Sequence, residues 1–282
     1  MAKSDDNLSH IPLPKKNGCK IKLTAYTSSG FFESDGLQIY YEIFGNGKPI
    51  ILVHGWGTDM KKNWGDTGWV EALQMVRQVI ALDCRGHGQS DKPYDQNVYS
   101  YSIMARDVLQ LMDHLSIDKT DLFGYSMGAF MIVHLLGHNR ERLTSVIMGG
   151  IGDETEESKD AQFIADALRA KDPSLITNPL GRVYRSFVES NPNNDLESLA
   201  CSALQMWPEG FPVQIGGVGL ADVDIPVLII NGEEDYPYVK SDEKLADAIP
   251  GSKLVRIPKK NHLTVINSRR FKKEVLAFLK EQ

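Results

Sequence analysis

The pentapeptide Gly124-Tyr125-Ser126-Met127-Gly128 is the strongest chemical signal in the sequence. It follows the apolar run Asp121–Phe123 and precedes the small-residue, apolar stretch Gly128–Leu136. The spacing G-x-S-x-G makes a nucleophile of serine when a strand leads into it and a helix leads out. Glycines two before and two after let the strand and helix close on a sharp turn, which lifts Oγ above the sheet edge. The same turn aims the N–H of Met127 at a substrate carbonyl oxygen. A glycine-rich packing turn is the competing reading, and the flanking elements favour the nucleophile.

A serine hydroxyl is a poor nucleophile at neutral pH and needs an adjacent base. The chain order that accompanies this motif is serine, acid, histidine. Among the histidines after Ser126, only His262 lies late in the chain and in a loop, after the apolar run Leu254–Ile257. His134 and His138 fall on the helix that follows Ser126 and read as surface or packing. His114 ends an amphipathic helix. The acid should end the preceding strand, where Ile225–Ile230 runs into Asn231-Gly232-Glu233-Glu234-Asp235. Asp235 is preferred because it leaves room for a turn after Gly232 before the side chain points back. Glu233 and Glu234 compete with it but read as solvated loop charges; Asp222 and Asp224 stand at the wrong end of the strand. An acid in this role orients the histidine. The developing oxyanion needs two donors. His54-Gly55-Trp56-Gly57 follows the strand Ile50–Val53, so the Trp56 N–H joins that of Met127. His54 itself reads as structural, holding the loop.

These residues need a scaffold that brings four strand ends together. Gly36–Gly45 reads as a strand closed by a Gly-Asn-Gly turn. The short apolar runs Pro49–Val53, Gln78–Leu82, Asp121–Tyr125, Leu143–Met148, Ile225–Ile230 and Lys253–Ile257 suit strands buried on both faces of a parallel sheet. Helical patterns over Tyr101–Leu115, Gly128–Leu136 and Phe271–Leu279 alternate with them, which implies a doubly wound α/β fold. From Gly152 to Asp222 no strand is evident. That stretch opens acidic (Asp153, Glu154, Glu156, Glu157) and carries helical patches at Ala161–Ala170, Leu180–Glu189 and Leu196–Met206. The organisation expected is an N-terminal extension over 1–30, a core over 31–151 and 223–282, and a helical cap over 152–222. Ile21–Tyr26 is left as an edge strand or a surface segment.

Bulk properties exclude several classes. A formal net charge of -6 argues against non-specific binding to nucleic acid or an anionic membrane. Cys19, Cys84 and Cys201 are few, odd in number and widely spaced, so they read as reduced thiols with no disulfide or metal framework. No run approaches the ~18 apolar residues of a membrane span, and the first residues lack a secretory signal's apolar core. The expectation is a cytoplasmic protein with no metal or cofactor, of open oligomeric state.

With these blocks in place the chain resembles the α/β-hydrolase family, in the branch of small-cap bacterial esterases. The resemblance rests on Leu52–Gly57, Ala81–Pro93, Gly124–Gly128, Asn231–Asp235 and Asn261-His262, and covers the chain from about Phe31 onward. It implies a mostly parallel eight-stranded sheet, a triad of Ser126, Asp235 and His262, and an oxyanion hole from the N–H groups of Trp56 and Met127. The block Asp83–Ser90, with Gly86 and Gly88, is a structural hallmark of that family. The activity implied is hydrolysis of a small-molecule carboxylic ester through an acyl-enzyme. Alternatives on the same triad are a carbon–carbon bond hydrolase, a lactonase or a thioesterase. The carbon–carbon reading would use Arg182 and Arg185 to grip a substrate carboxylate. Serine at 126 disfavours relatives with an aspartate nucleophile. A pure ligand receptor on this scaffold is disfavoured too, because binding needs no activated nucleophile. Leu168, Leu175, Ile176, Phe187, Leu199, Leu204, Met206 and Trp207 are candidate pocket walls, with cap packing as the plainer reading.

Overall fold

The computed structural model describes residues 26–152, 160–207, 219–235, 239 and 241–282. Cys19, the segment before Tyr26 and the acidic run Asp153–Glu157 lie outside the described residues.

The strands are β1 Tyr26–Ser34, β2 Leu37–Phe44, β3 Pro49–Val53, β4 Gln78–Leu82, β5 Thr120–Tyr125, β6 Leu143–Gly149, β7 Val227–Gly232 and β8 Lys253–Ile257. The helices are α1 Trp69–Leu73, α2 Tyr101–His114, α3 Met127–His138, α4 Asp160–Arg169, α5 Pro179–Glu189, α6 Leu196–Met206, α7 Asp242–Ala248, α8 His262–Val265 and α9 Arg269–Lys280. One eight-stranded sheet forms in the order β1-β2-β4-β3-β5-β6-β7-β8. The pairs β1–β2 and β2–β4 are antiparallel, and the others are parallel. The fold is therefore the doubly wound, mostly parallel sheet that the alternation of strands and helices implies.

The central strands read as unbroken apolar runs because both faces are covered. Ile51, Val53, Ile80, Leu82 and Leu122 face one core, shared with α2, α3 and the cap helices. Ile50, Leu52, Val79, Ala81 and Phe123 face the other, where Trp64, Trp69 and Phe271 pack on Phe123 with ring centroids 4.7–6.0 Å away. After β3 the chain steps outward to β4, then crosses back to β5 on the other side of β3. Such a reversal opens a crevice at the carboxyl ends of the strands, where ligands bind in open α/β sheets.

The sheet starts earlier than the sequence suggests. β1 begins at Tyr26, inside the stretch read as an extension, and pairs along its length with β2. Between Gly152 and Asp222 the described residues form α4, α5, α6 and two short 3-10 turns, and no strand. Helix α4 packs on α5 and α6, in the stretch expected to form a cap, and these helices join the α2–α3 core through Ile164, Leu168 and Leu199. Leu175 is 73% exposed, so it faces solvent and walls no interior pocket.

Candidate functional site

Ser126 stands between β5 and α3 with φ 51° and ψ -116°. A residue with a side chain rarely adopts that conformation. The strain is imposed from both sides. A Cβ on Gly124 would come within 2.4 Å of Gly128 O, and a Cβ on Gly128 within 2.2 Å of Val53 O. Only glycine at both positions lets β5, β3 and α3 approach this closely. The backbone of Ser126 is pinned by its N–H to Gly149 O at 2.8 Å. Ser126 sits at the N-cap of α3, yet its hydroxyl makes no capping bond. Its Oγ is left at the positive end of that helix, partly exposed.

His262 and Asp235 meet next to Tyr125, the residue before Ser126. Nδ1 of His262 donates to Asp235 Oδ1 at 2.8 Å, with the carboxylate buried and the imidazole nearly so. Their loops are clamped together, since Glu233 N–H donates to Ile257 O at 3.0 Å and Glu234 N–H to Lys260 O at 2.8 Å. His262 opens α8, and Asn261 and Thr264 close a reciprocal capping box around it. Tyr125 O–H donates to His262 O. Gly150, at φ 67°, provides the space for the imidazole: a Cβ there would meet His262 Cε1 at 2.9 Å. No hydrogen bond links Ser126 Oγ to His262 in the described structure; such contacts are often long before substrate binds. Ser126, Met127, Trp56, Asp235 and His262 thus come from the ends of β3, β5, β7 and β8.

Gly55 leads into Trp56 close to the serine, as a Cβ on Gly55 would lie 3.5 Å from Ser126 Cβ. Among the described residues, neither Trp56 N–H nor Met127 N–H has a hydrogen-bond acceptor. Two buried histidines hold this loop. His54 accepts Cys84 N–H at Nε2 (2.9 Å) and donates from Nδ1 to Gly55 O (2.8 Å). His87 accepts Gly57 N–H at Nε2 (3.1 Å) and donates from Nδ1 to Arg85 O (3.0 Å). Each therefore acts as a neutral Nδ1–H tautomer. Burial pushes His87 down to about 3, and lowers His54 as well. Asn63 accepts Gly55 N–H at 3.1 Å. Asp83 accepts the N–H groups of Met60 and Gln89 at 2.9 and 2.8 Å. Burial opposes charge on Asp59, but the Lys62 N–H and the amides of Asn191 and Asn193 outweigh it and hold its carboxyl below the ordinary range. Of these loop supports, sequence reasoning identifies only His54. His87 sits in the Asp83–Ser90 block, and nothing in its neighbours along the chain marks it as a support for Gly57, 30 positions away.

Arg185 and Arg182 bond the helices of the 160–207 stretch. Nη1 of Arg185 donates to the carbonyls of Ala167, Leu168 and Ala170 at 2.8–3.1 Å, closing the C-terminus of α4, and its Nε pairs with Glu189 at 2.7 Å. Nη1 of Arg182 donates to Ile176 O at 2.8 Å. Cys84 is fully buried, and desolvation pushes its thiol well above the ordinary value. That makes it a packing residue without thiolate character. A cavity of about 460 Å³ lies behind the loop, lined among others by Glu42, Asp59, Met60, Val70, Asp83 and Asn193. None of Ser126, Asp235 and His262 borders it.

Comparison with known proteins agrees with this architecture. A family model described as alpha/beta hydrolase fold matches residues 48–178. A 3-oxoadipate enol-lactonase of Acinetobacter baylyi is 28% identical over 213 residues, covering 71% of this chain and 76% of that protein. A non-heme chloroperoxidase of Kitasatospora aureofaciens is 25% identical over 274 residues, covering 87% and 97%. The crystal structure of a hydrolase from Pseudomonas aeruginosa superposes with a TM-score of 0.72 at 25% identity, covering 89% of this chain and 98% of that one. Among the described residues no helix is long and apolar enough to cross a membrane.

Proposed function

We propose, from the premise that this chain belongs to the α/β-hydrolase fold family, that it is a serine hydrolase cleaving carboxylic esters through an acyl-enzyme on Ser126. The observation that carries the reading is the Asp235–His262 pair, bonded at 2.8 Å, on loops that adjoin a strained serine with an unspent hydroxyl.

The reaction follows from the roles these positions suit. Asp235 accepts from Nδ1 of His262 and so leaves Nε2 unprotonated for the serine proton. Ser126 Oγ attacks the ester carbonyl as that proton moves to Nε2. The N–H groups of Trp56 and Met127 receive the oxyanion. His262 returns the proton to the departing alcohol. A water, deprotonated by the same nitrogen, then releases the acid. Met127 N–H is well suited because it belongs to the first turn of α3, whose dipole favours negative charge. The setting we propose is cytoplasmic, a reading supported by the free thiols of Cys84 and Cys201.

Lactones are cyclic esters, and the similarity to an enol-lactonase favours including them in the substrate class. The carbon–carbon bond alternative loses support, because Arg182 and Arg185 donate to cap carbonyls instead of facing a substrate carboxylate. The test is turnover of p-nitrophenyl acetate and butyrate, and of small lactones, by wild type and Ser126→Ala. The wild type should exceed the variant by at least ~10³-fold. Equal rates would exclude Ser126 as nucleophile. Turnover of a dienol acid with none of any ester or lactone would exclude the substrate class.

A further inference from the structure

The loop from His54 to Met60 carries the proposed oxyanion donor, and the cap holds that loop at three places. Asn194 Nδ2 donates to Gly57 O at 2.8 Å. Asn191 Nδ2 and Asn193 Nδ2 donate to Asp59 Oδ2 at 3.0 and 3.2 Å. Trp56 Nε1 donates to Ser202 Oγ at 2.9 Å, and that hydroxyl donates onward to Leu199 O within α6. The Trp56 indole also packs against Trp207 and Tyr184, with ring centroids at 5.0 and 5.8 Å.

The cap side of these contacts is one rigid piece. Asn191–Asn194 is the turn between α5 and α6. Asn194 N–H donates to Asn191 O at 3.1 Å, and Asn193 N–H to Asn191 Oδ1 at 3.2 Å. Asn194 Nδ2 also donates to Val188 O at the end of α5, at 2.9 Å. Asp59, Asn191 and Ser202 are 2%, 4% and 0% exposed. Breaking the bond to Asp59, Asn191 or Ser202 strands a buried polar group. Here one buried amide, Asn191, and two less buried ones, Asn193 and Asn194, bond the few residues around the Trp56 peptide.

We infer that the Asn191–Asn194 turn is a latch through which the cap sets the oxyanion loop, with Asn191, Asn194, Asp59 and Ser202 as positioning residues for the reaction at Ser126. The inference rests on the proposed oxyanion role of Trp56. Cap and loop then move together. A substrate that seats the cap aligns the donor, so its fit is expressed in kcat as well as in KM. Displacement of a catalytic group by about 1 Å costs up to ~10²-fold in rate.

The experiment compares wild type with Asn194→Ala, Asp59→Asn, Ser202→Ala and Trp56→Phe. Trp56→Phe keeps the backbone N–H and removes the indole donor. Each preparation is titrated for active sites, so that a misfolded fraction does not count. Two readouts are taken: kcat and KM on p-nitrophenyl butyrate, and the rate of Ser126 phosphonylation by a fluorophosphonate. Expected are losses of roughly 10- to 100-fold in kcat with KM within about 3-fold, and parallel losses in phosphonylation rate. A trifluoromethyl ketone, which forms an oxyanion adduct, should weaken by the same factor. The latch is overturned if kcat per titrated site stays within about 2-fold, or if KM alone rises. A wild type that is phosphonylated but cleaves no ester would overturn the substrate reading and leave the latch to be judged by phosphonylation. A wild type that is not labelled at all would overturn both.

Discussion

Ser126 pays a backbone strain of about 1–3 kcal/mol for its position at φ 51°. That strain belongs to the position and not to the hydroxyl, so a residue without a Cβ should relieve it. Glycine adopts this conformation freely. Ser126→Gly should therefore be more stable than Ser126→Ala by about 1 kcal/mol in urea unfolding, although both lose turnover. Glycine is preferred to alanine at any helix N-cap, so strain is read from Ser126→Gly against wild type: a glycine variant clearly less stable than wild type would remove strain from the account. The neighbouring Gly128 tolerates no such freedom. Gly128→Ala drives a Cβ to 2.2 Å from Val53 O, and should cost ~2–3 kcal/mol or more by overpacking. Its thermal midpoint should fall well below that of wild type.

Between elements, the first strands and α2 are joined by charge. Arg85, fully buried after β4, pairs with Asp107 of α2 through Nε at 2.9 Å and Nη2 at 2.5 Å. Asp107 also accepts from Ser34 Oγ at the end of β1. Breaking a buried pair of this kind costs about 3–5 kcal/mol; without Asp107, the charged partner left to Arg85 is the longer, half-exposed contact to Asp35 at 3.4 Å. Asp107→Ala should lose stability of that order, whereas Arg85→Met with Asp107→Leu should lose much less than the sum of the single changes. Additivity in urea unfolding would show that the pair is not coupled. The same comparison of elements explains what a linear reading catches. β3, β4 and β8 match their apolar runs residue for residue. β1 reads as polar because an edge strand has one unpaired side, and its Tyr-Thr-Ser-Ser-Gly start carries no apolar run. Helices α1, α7 and α8 have 5, 7 and 4 residues, too short for a helical period to emerge.

For the molecule as a whole, the neutral histidines under the oxyanion loop set a pH dependence of stability. His87 is lowered from 6.5 to about 3 by burial, and His54 moves in the same direction. Unfolding releases both to titrate normally. The unfolded chain then binds more protons than the folded one as pH falls below about 6.5. Stability from these groups is fully present above that value and is lost toward the folded value. The slope from His87 should approach ~1.4 kcal/mol per pH unit, with His54 acting in the same direction. Burial raises Asp83, which offsets part of the loss once carboxylates titrate. The informative window is therefore about pH 7 to 5.5. Urea unfolding across it should show falling stability with net proton uptake on unfolding. A flat profile would mean that His54 and His87 are protonated in the folded state.

The sequence by itself determined the parts whose physics is local. The apolar runs specified buried parallel strands, the glycines around Ser126 specified the turn, and chain order selected Asp235 and His262 as its candidate partners. Local chemistry was sufficient because each of these is a property of a few adjacent residues. Only the tertiary structure decided what depends on distance between remote segments. It seated His87 under Gly57, separated by 30 positions, and turned Arg185 onto the end of α4. It also brought Asn194 of the cap to Gly57 across 137 positions. Nothing in an asparagine's neighbours along the chain says which distant carbonyl it will meet. That is settled by packing, where a buried amide must find a partner or the fold bears the cost of leaving it unpaired.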